Sequence, residues 1–309
     1  MARHRNEAQV GTLPAPVFLV GPARSGTSLV YKTLCLHPDV SYISNWAARF
    51  PSLPELGVLN RLGPIFPATR SRAWFGEDSN AYVYGRRRRW SERMFPMPVE
   101  GEPVYAACGI KAADLGGAAA SGEPAQTLVR SFERLRASSG GDVLVSKRIG
   151  NNRRIGFLAS AFPTARFIAI VRDGRAVALS LSRVDWWQRY ILPWYGGTPA
   201  RWAAEGRDPW EACARNWVED LHAIEAGLAA VPGDRVLRLS YESFVGAPLD
   251  SLGRVSEFTG LLPRAAWYEA LGRLEFPNKN GWHTGLDPEA LETITAIQKR
   301  ELEAYGYDL

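Results

Sequence analysis

A chain of 309 residues, 46% of them hydrophobic, can bury one large core with substantial insertions. Its 37 basic and 32 acidic residues leave a net charge of +5, which favours anionic ligands without requiring nucleic acid. Three separated cysteines and four scattered histidines indicate neither a disulfide framework nor a zinc cluster, and a polar N-terminus with no apolar run of ~20 residues reads as a soluble, cytoplasmic protein.

Taken in chain order, the apolar run Val17 to Val20 predicts a strand, followed by the loop "GPARSGTS" and a helical pattern. Residues 41 to 124 are irregular, with Pro, Gly, Arg and aromatic residues breaking any long period. Regular alternation then returns. "AQTLVRSFERLRA" predicts an amphipathic helix, "DVLVS" (142 to 146) a strand and "RRIGFLASAF" a helix. "RFIAIV" (166 to 171) predicts a buried strand, "RAVALSLSRV" (175 to 184) a helix, and "WEACARNWVEDLHAIEAGLAAV" a long one. "RVLRLSYESF" predicts a strand, and a last helix runs from about Asp287 to Tyr305. Short apolar strands alternating with helices predict an α/β fold: a P-loop-like, three-layer α/β/α arrangement with a central parallel sheet. The whole of 1–309 reads as a single domain carrying a long irregular insertion at about 41–124.

The loop at residues 21 to 28 has the glycine spacing of a phosphate-cradling loop, but Thr27 stands where the lysine of an ATP-binding loop would be. Backbone N–H groups over residues 22 to 28, the helix dipole, the Thr27 and Ser28 hydroxyls and the Arg24 fork predict an anion site. The missing lysine suggests a ligand with a shorter 5′ chain than a nucleoside triphosphate. A second constellation lies in "RFIAIVRDGRAVALSLS": Arg172 at the end of a buried strand and Ser180 on the following helix. Both motifs fall at strand carboxyl ends, where ligands of parallel sheets sit. Together they suit one ligand with two anionic ends.

These motifs resemble those of the sulfotransferases: "GPARSGTSLV" is similar to their 5′-phosphosulfate loop and "IVRDGRAVALSLS" to their 3′-phosphate site. The resemblance is greatest to the branch containing tyrosylprotein sulfotransferases and many bacterial members. It continues through "VSKRIGNNRRIGFLASAFPTARFI", "LSYESFV", "NKNGWHTGL" and the closing "AYGYDL", covering 16–40 and about 142–309. It implies nucleotide-binding elements at 16–40, 142–184, 235–245 and 277–286. The implied activity is transfer of a sulfuryl group from 3′-phosphoadenosine 5′-phosphosulfate (PAPS) to a hydroxyl or amine, without a metal. The implied donor contacts are Arg24, Ser25, Gly26, Thr27 and Ser28 for the 5′-phosphosulfate, with Arg172 and Ser180 for the 3′-phosphate. Tyr241 is implied near the adenosine, and Lys279, Asn280 and Trp282 in a loop closing over it. Arg24 is expected to stabilise charge on the departing 5′-phosphate.

The resemblance breaks at the general base. The tyrosylprotein branch carries a glutamate a few residues beyond a His-Pro like His37-Pro38, and that place falls near Asn45, which cannot accept a proton. The candidates are then Glu77, Asp78, Glu92, Glu100 and Glu102, with His37 as a further one. Glu100, between prolines and apolar residues, is the choice, on the expectation that partial desolvation raises its pKa. The acceptor could be a small molecule, glycan or peptide. The run Arg86–Arg89 could meet an anionic acceptor or a membrane surface, although such runs are ordinarily solvated. The aromatic segment 185–202 suits an apolar acceptor pocket or, equally, packing between insertions. Alternative functions are a P-loop nucleotide kinase or NTPase, and a non-catalytic nucleotide-binding protein.

Overall fold

The apolar runs ending at Val20 and Val171 lie side by side in the middle of a parallel sheet, as continuous hydrophobic strands should. In the computed structural model, which describes residues 15–76, 94–110 and 122–309, that sheet has five strands. They are Val17–Val20 (β1), Val40–Tyr42 (β2), Val143–Lys147 (β3), Arg166–Val171 (β4) and Val236–Ser240 (β5). Their order is β2-β3-β1-β4-β5 and every neighbouring pair is parallel.

Successive β1 side chains enter opposite layers. Val17 and Leu19 join a core that includes Val30 and Leu34 of the helix Thr27–Cys35 (α1), with Phe244, Leu252 and Trp267 from C-terminal helices. Phe18 and Val20 join the other core, with Leu128 and Phe132 of Glu123–Ser139 (α2) and Phe157 and Leu158 of Ile155–Ala161 (α3). Full burial of a phenylalanine such as Phe18 contributes ~1.5–3 kcal/mol. A third cluster packs Gly174–Ser182 (α4) against Pro209–Leu228 (α5), the last helix and the aromatic segment around Trp187 and Trp202. The sheet is thus covered on both faces, and the expected three layers are present.

Helix ends follow local chemistry. Proline at the first turn and a left-handed Gly140 after the last bound α2, while Asp208 and Pro209 open α5. Two expectations need correction. The strand read through "RVLRLSYESF" stops at Ser240, whose hydroxyl accepts from Ser243 N–H and so caps a helix over Tyr241–Gly246 (α6). The region read as irregular from residue 41 holds the end of β2, the helix Asn45–Arg49, a 3-10 helix at Pro54–Arg61 and helices at Leu62–Ile65, Pro67–Phe75 and Glu102–Ala107. Pro54, Pro67 and Pro103 stand in the first turns of three of these, so proline there starts short helices. The chain closes with Pro288–Ala304 (α7), capped by Asp287. Among the described residues no helix is long and apolar enough to cross a membrane.

Candidate active site

The carboxyl ends of four strands deliver the site. β1 gives the phosphate loop, β3 ends on Lys147, β4 is followed by Arg172, and β5 is followed by Tyr241. The loop itself is tightly built. Gly21 cannot take a side chain, because a Cβ there would lie 2.4 Å from the Ile170 carbonyl oxygen. Its peptide is held on both sides by Asn152, whose Oδ1 accepts from Gly21 N–H and whose Nδ2 donates to Gly21 O, each at 3.0 Å. Arg24 is the single non-glycine residue with positive φ among the described residues, at 69°, a strained conformation of the kind stored at binding sites.

The cradle is narrower than the span 22 to 28 suggests. Pro22 has no N–H, the backbone of Ala23 bonds the buried Asp220 carboxylate, and Ser25 N–H donates to Pro22 O. The amides of Arg24, Gly26, Thr27 and Ser28 remain, the last three at a helix start where no intrahelical acceptor exists. Ser25 Oγ is fully buried without a hydrogen-bond partner. Such an orphaned hydroxyl beside free helix-start amides fits an anion held in the loop.

The two sequence motifs meet. Arg24 Nε donates to Ser180 Oγ at 2.9 Å, and Arg172 Nη1 donates to Arg24 O at 2.9 Å. Arg172 further donates from Nε to Asn280 Oδ1 and from Nη2 to Lys279 O, and lies 4.5 Å from the centre of the Tyr241 ring. Burial lowers the pKa of Arg24, and the nearby positive charge of Arg172 lowers it further. Two guanidiniums that repel one another across a strand end are a natural anion site. Tyr241 seats on the loop: a Cβ on Gly26, whose φ is +81°, would come within 2.4 Å of Tyr241 Cδ2. The Tyr241 hydroxyl donates to Pro277 O and accepts from Lys279 N–H, which ties residues 277–280 over the site. Trp282 is buried against Ala176 and Leu179 of α4, with the Arg175 guanidinium 4.0 Å from its ring, and so anchors that segment from the far side of α4.

Glu100 also reaches the site, by a route that sequence could not show. Residues 97–99 run antiparallel to 43–45 beyond β2, with Val99 N–H donating to Ile43 O and Asn45 N–H to Met97 O. The Asn45 side chain completes this pairing, accepting from Met97 N–H and donating to Phe95 O. Where a carboxylate was sought, an amide therefore holds the strand that presents Glu100. The Glu100 carboxylate lies 2.5 Å from Lys147 Nζ and 3.2 Å from Arg148 Nη1, and Lys147 Nζ is 3.2 Å from Ser28 Oγ. Burial by itself raises the pKa of Glu100, but Lys147 and Arg148 outweigh it and hold the carboxyl below its usual range. The expected raised pKa is thus corrected: desolvation was foreseen and the cations facing it were not. Glu102 is tied to Arg154 and Arg148, and both His37 nitrogens are engaged, with Leu262 O and Asp39 N–H, at the far end of α1. Glu77, Asp78, Glu92 and the Arg86–Arg89 run lie outside the described residues.

Of the two roles expected of the aromatic segment, packing is the one seen. Trp187 and Trp202 are packed in the third core. The Tyr190 phenol is pushed up to about 12 by burial and the Asp220 charge. The sequence reading missed Asp220 and Glu242 altogether, and met Asn152 only as an asparagine of "VSKRIGNN". Glu242 accepts from Asp173 N–H, Asn280 Nδ2 and the Tyr307 hydroxyl, binding the 277–280 segment and the C-terminus to the end of β4. Lys147 was visible only as the lysine of "VSKRIGNN".

Sheet, loop and paired cations define a P-loop-like α/β protein. Residues 16–263 match the family model described as the sulfotransferase family, and the chain belongs to that family. A comparison with curated proteins finds no significant sequence match. Among solved structures, the fold is similar to sulfotransferase STF9 from Mycobacterium avium, with TM-score 0.61, 17% identity, and 96% of this chain and 78% of that one covered. Sulfotransferase STF1 from Mycobacterium tuberculosis H37Rv gives TM-score 0.53 at 16% identity over 92% and 77%. The sulfotransferase domain from the curacin biosynthetic pathway gives 0.51 at 14% over 96% and 99%.

Proposed function

We propose that the protein moves the sulfuryl group of PAPS to a hydroxyl or amine of an acceptor. The observation that carries this reading is the direct coupling of the two anion sites through Arg24, Ser180 and Arg172. A nucleotide with phosphate groups on both its 5′ and 3′ sides engages both at once. The orphaned Ser25 hydroxyl and the amides of residues 26 to 28 suit the 5′ group, and Arg172 with Ser180 suits the 3′-phosphate. Arg24 bridges the two: its backbone lies in the loop while its side chain is directed at Ser180. PAPS supplies the activated sulfuryl group on its 5′-phosphate.

Lys147 lies beside Ser28, which favours it over Arg24 as the cation that meets charge growing on the departing 5′ oxygen. A Lys147 drawn toward that oxygen releases its hold on Glu100. The carboxylate, left buried and less compensated, gains proton affinity and can take the acceptor's proton. The acceptor then approaches from the side of Glu100.

Thermal unfolding with and without adenosine 3′,5′-bisphosphate tests the donor reading. Ligand at 100 times its Kd should add ~2.7 kcal/mol of stability. A melting temperature raised by ATP–magnesium and indifferent to the bisphosphate would overturn it in favour of an NTPase or kinase.

A further inference from the structure

At the other end of α1, away from the phosphate loop, lies a half-open cavity with mixed polar and apolar walls. Its volume is about 370 Å³. Its wall includes Cys35, the last residue of α1, which the helical rise places about 12 Å from Thr27 in the loop. The 3-10 helix Pro54–Arg61 and the helix Pro67–Phe75 complete it with Asn60, Arg70 and Trp74.

Arg70 is 7% exposed, yet among the described residues it makes no ion pair, and its Nε has no hydrogen-bond partner. Its guanidinium lies 5.7 Å from the Trp74 ring centre. Burial lowers its pKa, the Tyr42 phenol opposes that shift, and the neighbouring Arg273 charge adds to it. An arginine does not shed its proton in a protein, so this charge is buried with no acidic partner among the described residues. Two more polar atoms in the same wall are buried without partners, the Tyr42 hydroxyl and Asn60 Oδ1. The Asn60 amide is fixed, because its Nδ2 donates to Tyr42 O and Ser139 Oγ. Arg61 adds a second, exposed cation, and none of the described lining residues is acidic.

We propose that this cavity binds a small organic oxyanion, with carboxylate or phosphate oxygens on Arg70 and the Tyr42 hydroxyl and an apolar body against Trp74 and Val40. The volume lies in the range of small-molecule sites, and the lining pairs apolar walls with a few convergent polar groups. Charge-assisted bonds from a desolvated guanidinium are strong, and an anion there removes the cost of an unpaired buried cation. The site is separate from the transfer reaction and does not depend on it.

The test titrates inorganic phosphate and benzoate, followed by calorimetry, into protein saturated with adenosine 3′,5′-bisphosphate, so that the loop is already filled. At least one probe should bind, and which one does identifies the head group. Arg70→Met should weaken that binding at least about tenfold, and Tyr42→Phe by a smaller factor. Without probe, Arg70→Met should melt at or above the wild-type temperature, since a buried charge unpaired among the described residues has gone. No binding of either probe at tens of millimolar, or equal affinity in Arg70→Met, overturns the proposal. Should Arg70→Met fail to fold, unchanged affinity in the near-isosteric Tyr42→Phe overturns it equally. A protein indifferent to the bisphosphate contradicts the donor reading alone, because the Arg70 dependence is read by difference.

Discussion

Replacing Glu100 by glutamine keeps the side chain's shape and removes its charge, which probes the buried pair and the proposed base together. Lys147 is 3% exposed and Glu100 9%, so the pair is buried. Breaking such a pair leaves the remaining charge uncompensated, at a cost of ~3–5 kcal/mol. Arg148 is more exposed and can turn to water, so its share is small. Glu100→Gln should therefore unfold roughly 5–8 °C below the wild type, at the ~1.5 °C per kcal/mol that an unfolding entropy of ~2.1 cal/mol/K per residue gives a chain of this length. A lost general base should lower turnover by ~10²–10⁴-fold. Melting curves and single-turnover transfer from PAPS, on any phenol, alcohol or amine that the wild type uses, read both effects.

The double variant Glu100→Gln/Lys147→Met separates them. With both charges gone it should recover most of the stability but none of the turnover. The pH dependence has a definite sign. Because the folded carboxyl is held below the unfolded value of about 4.3, the pair's stabilisation is present above that pH. It is lost as pH falls through the folded value, and Glu100→Gln should lack that part of the acid limb. Turnover within twofold of the wild type in folded Glu100→Gln would refute the base, and an unshifted melting curve would refute the energetic account of the pair.

Two further expectations concern the nucleotide side. Arg172→Ala and Ser180→Ala should weaken bisphosphate binding more than adenosine 5′-phosphate binding, and Arg172→Ala should also expose residues 277–280 to proteolysis, since it holds Lys279 and Asn280; equal loss for both nucleotides by calorimetry would make these residues structural. Gly26→Ala sets a Cβ against Tyr241 at a left-handed backbone position, and should cost ~1–3 kcal/mol and most bisphosphate affinity. Undiminished affinity in that variant would show that the loop and Tyr241 need not keep this contact.

What the amino-acid sequence determined by itself was local. A run of apolar residues, two glycines and a helical pattern fix a strand, a turn and a helix start, so the phosphate loop was legible from Val17 to Ser28. The same holds for Arg172 and Ser180, which one strand end and one helix bring to the same edge. Short elements were not legible: β2 has three residues, too few for a period, and the cap at Ser240 that turns a strand into a helix depends on one hydroxyl. The tertiary structure alone decided which distant charges face one another. Glu100 meets Lys147 because residues 97–99 pair with the extension of β2, and the order β2-β3-β1 sets β3 beside the loop strand. Asn152 reaches Gly21, and Asp220 reaches Ala23, only once the sheet and α5 are assembled. Desolvation can be guessed from neighbours in the chain, whereas the sign of a pKa shift depends on charges brought in from far along it, which is why the burial of Glu100 was foreseen and its proton affinity was not.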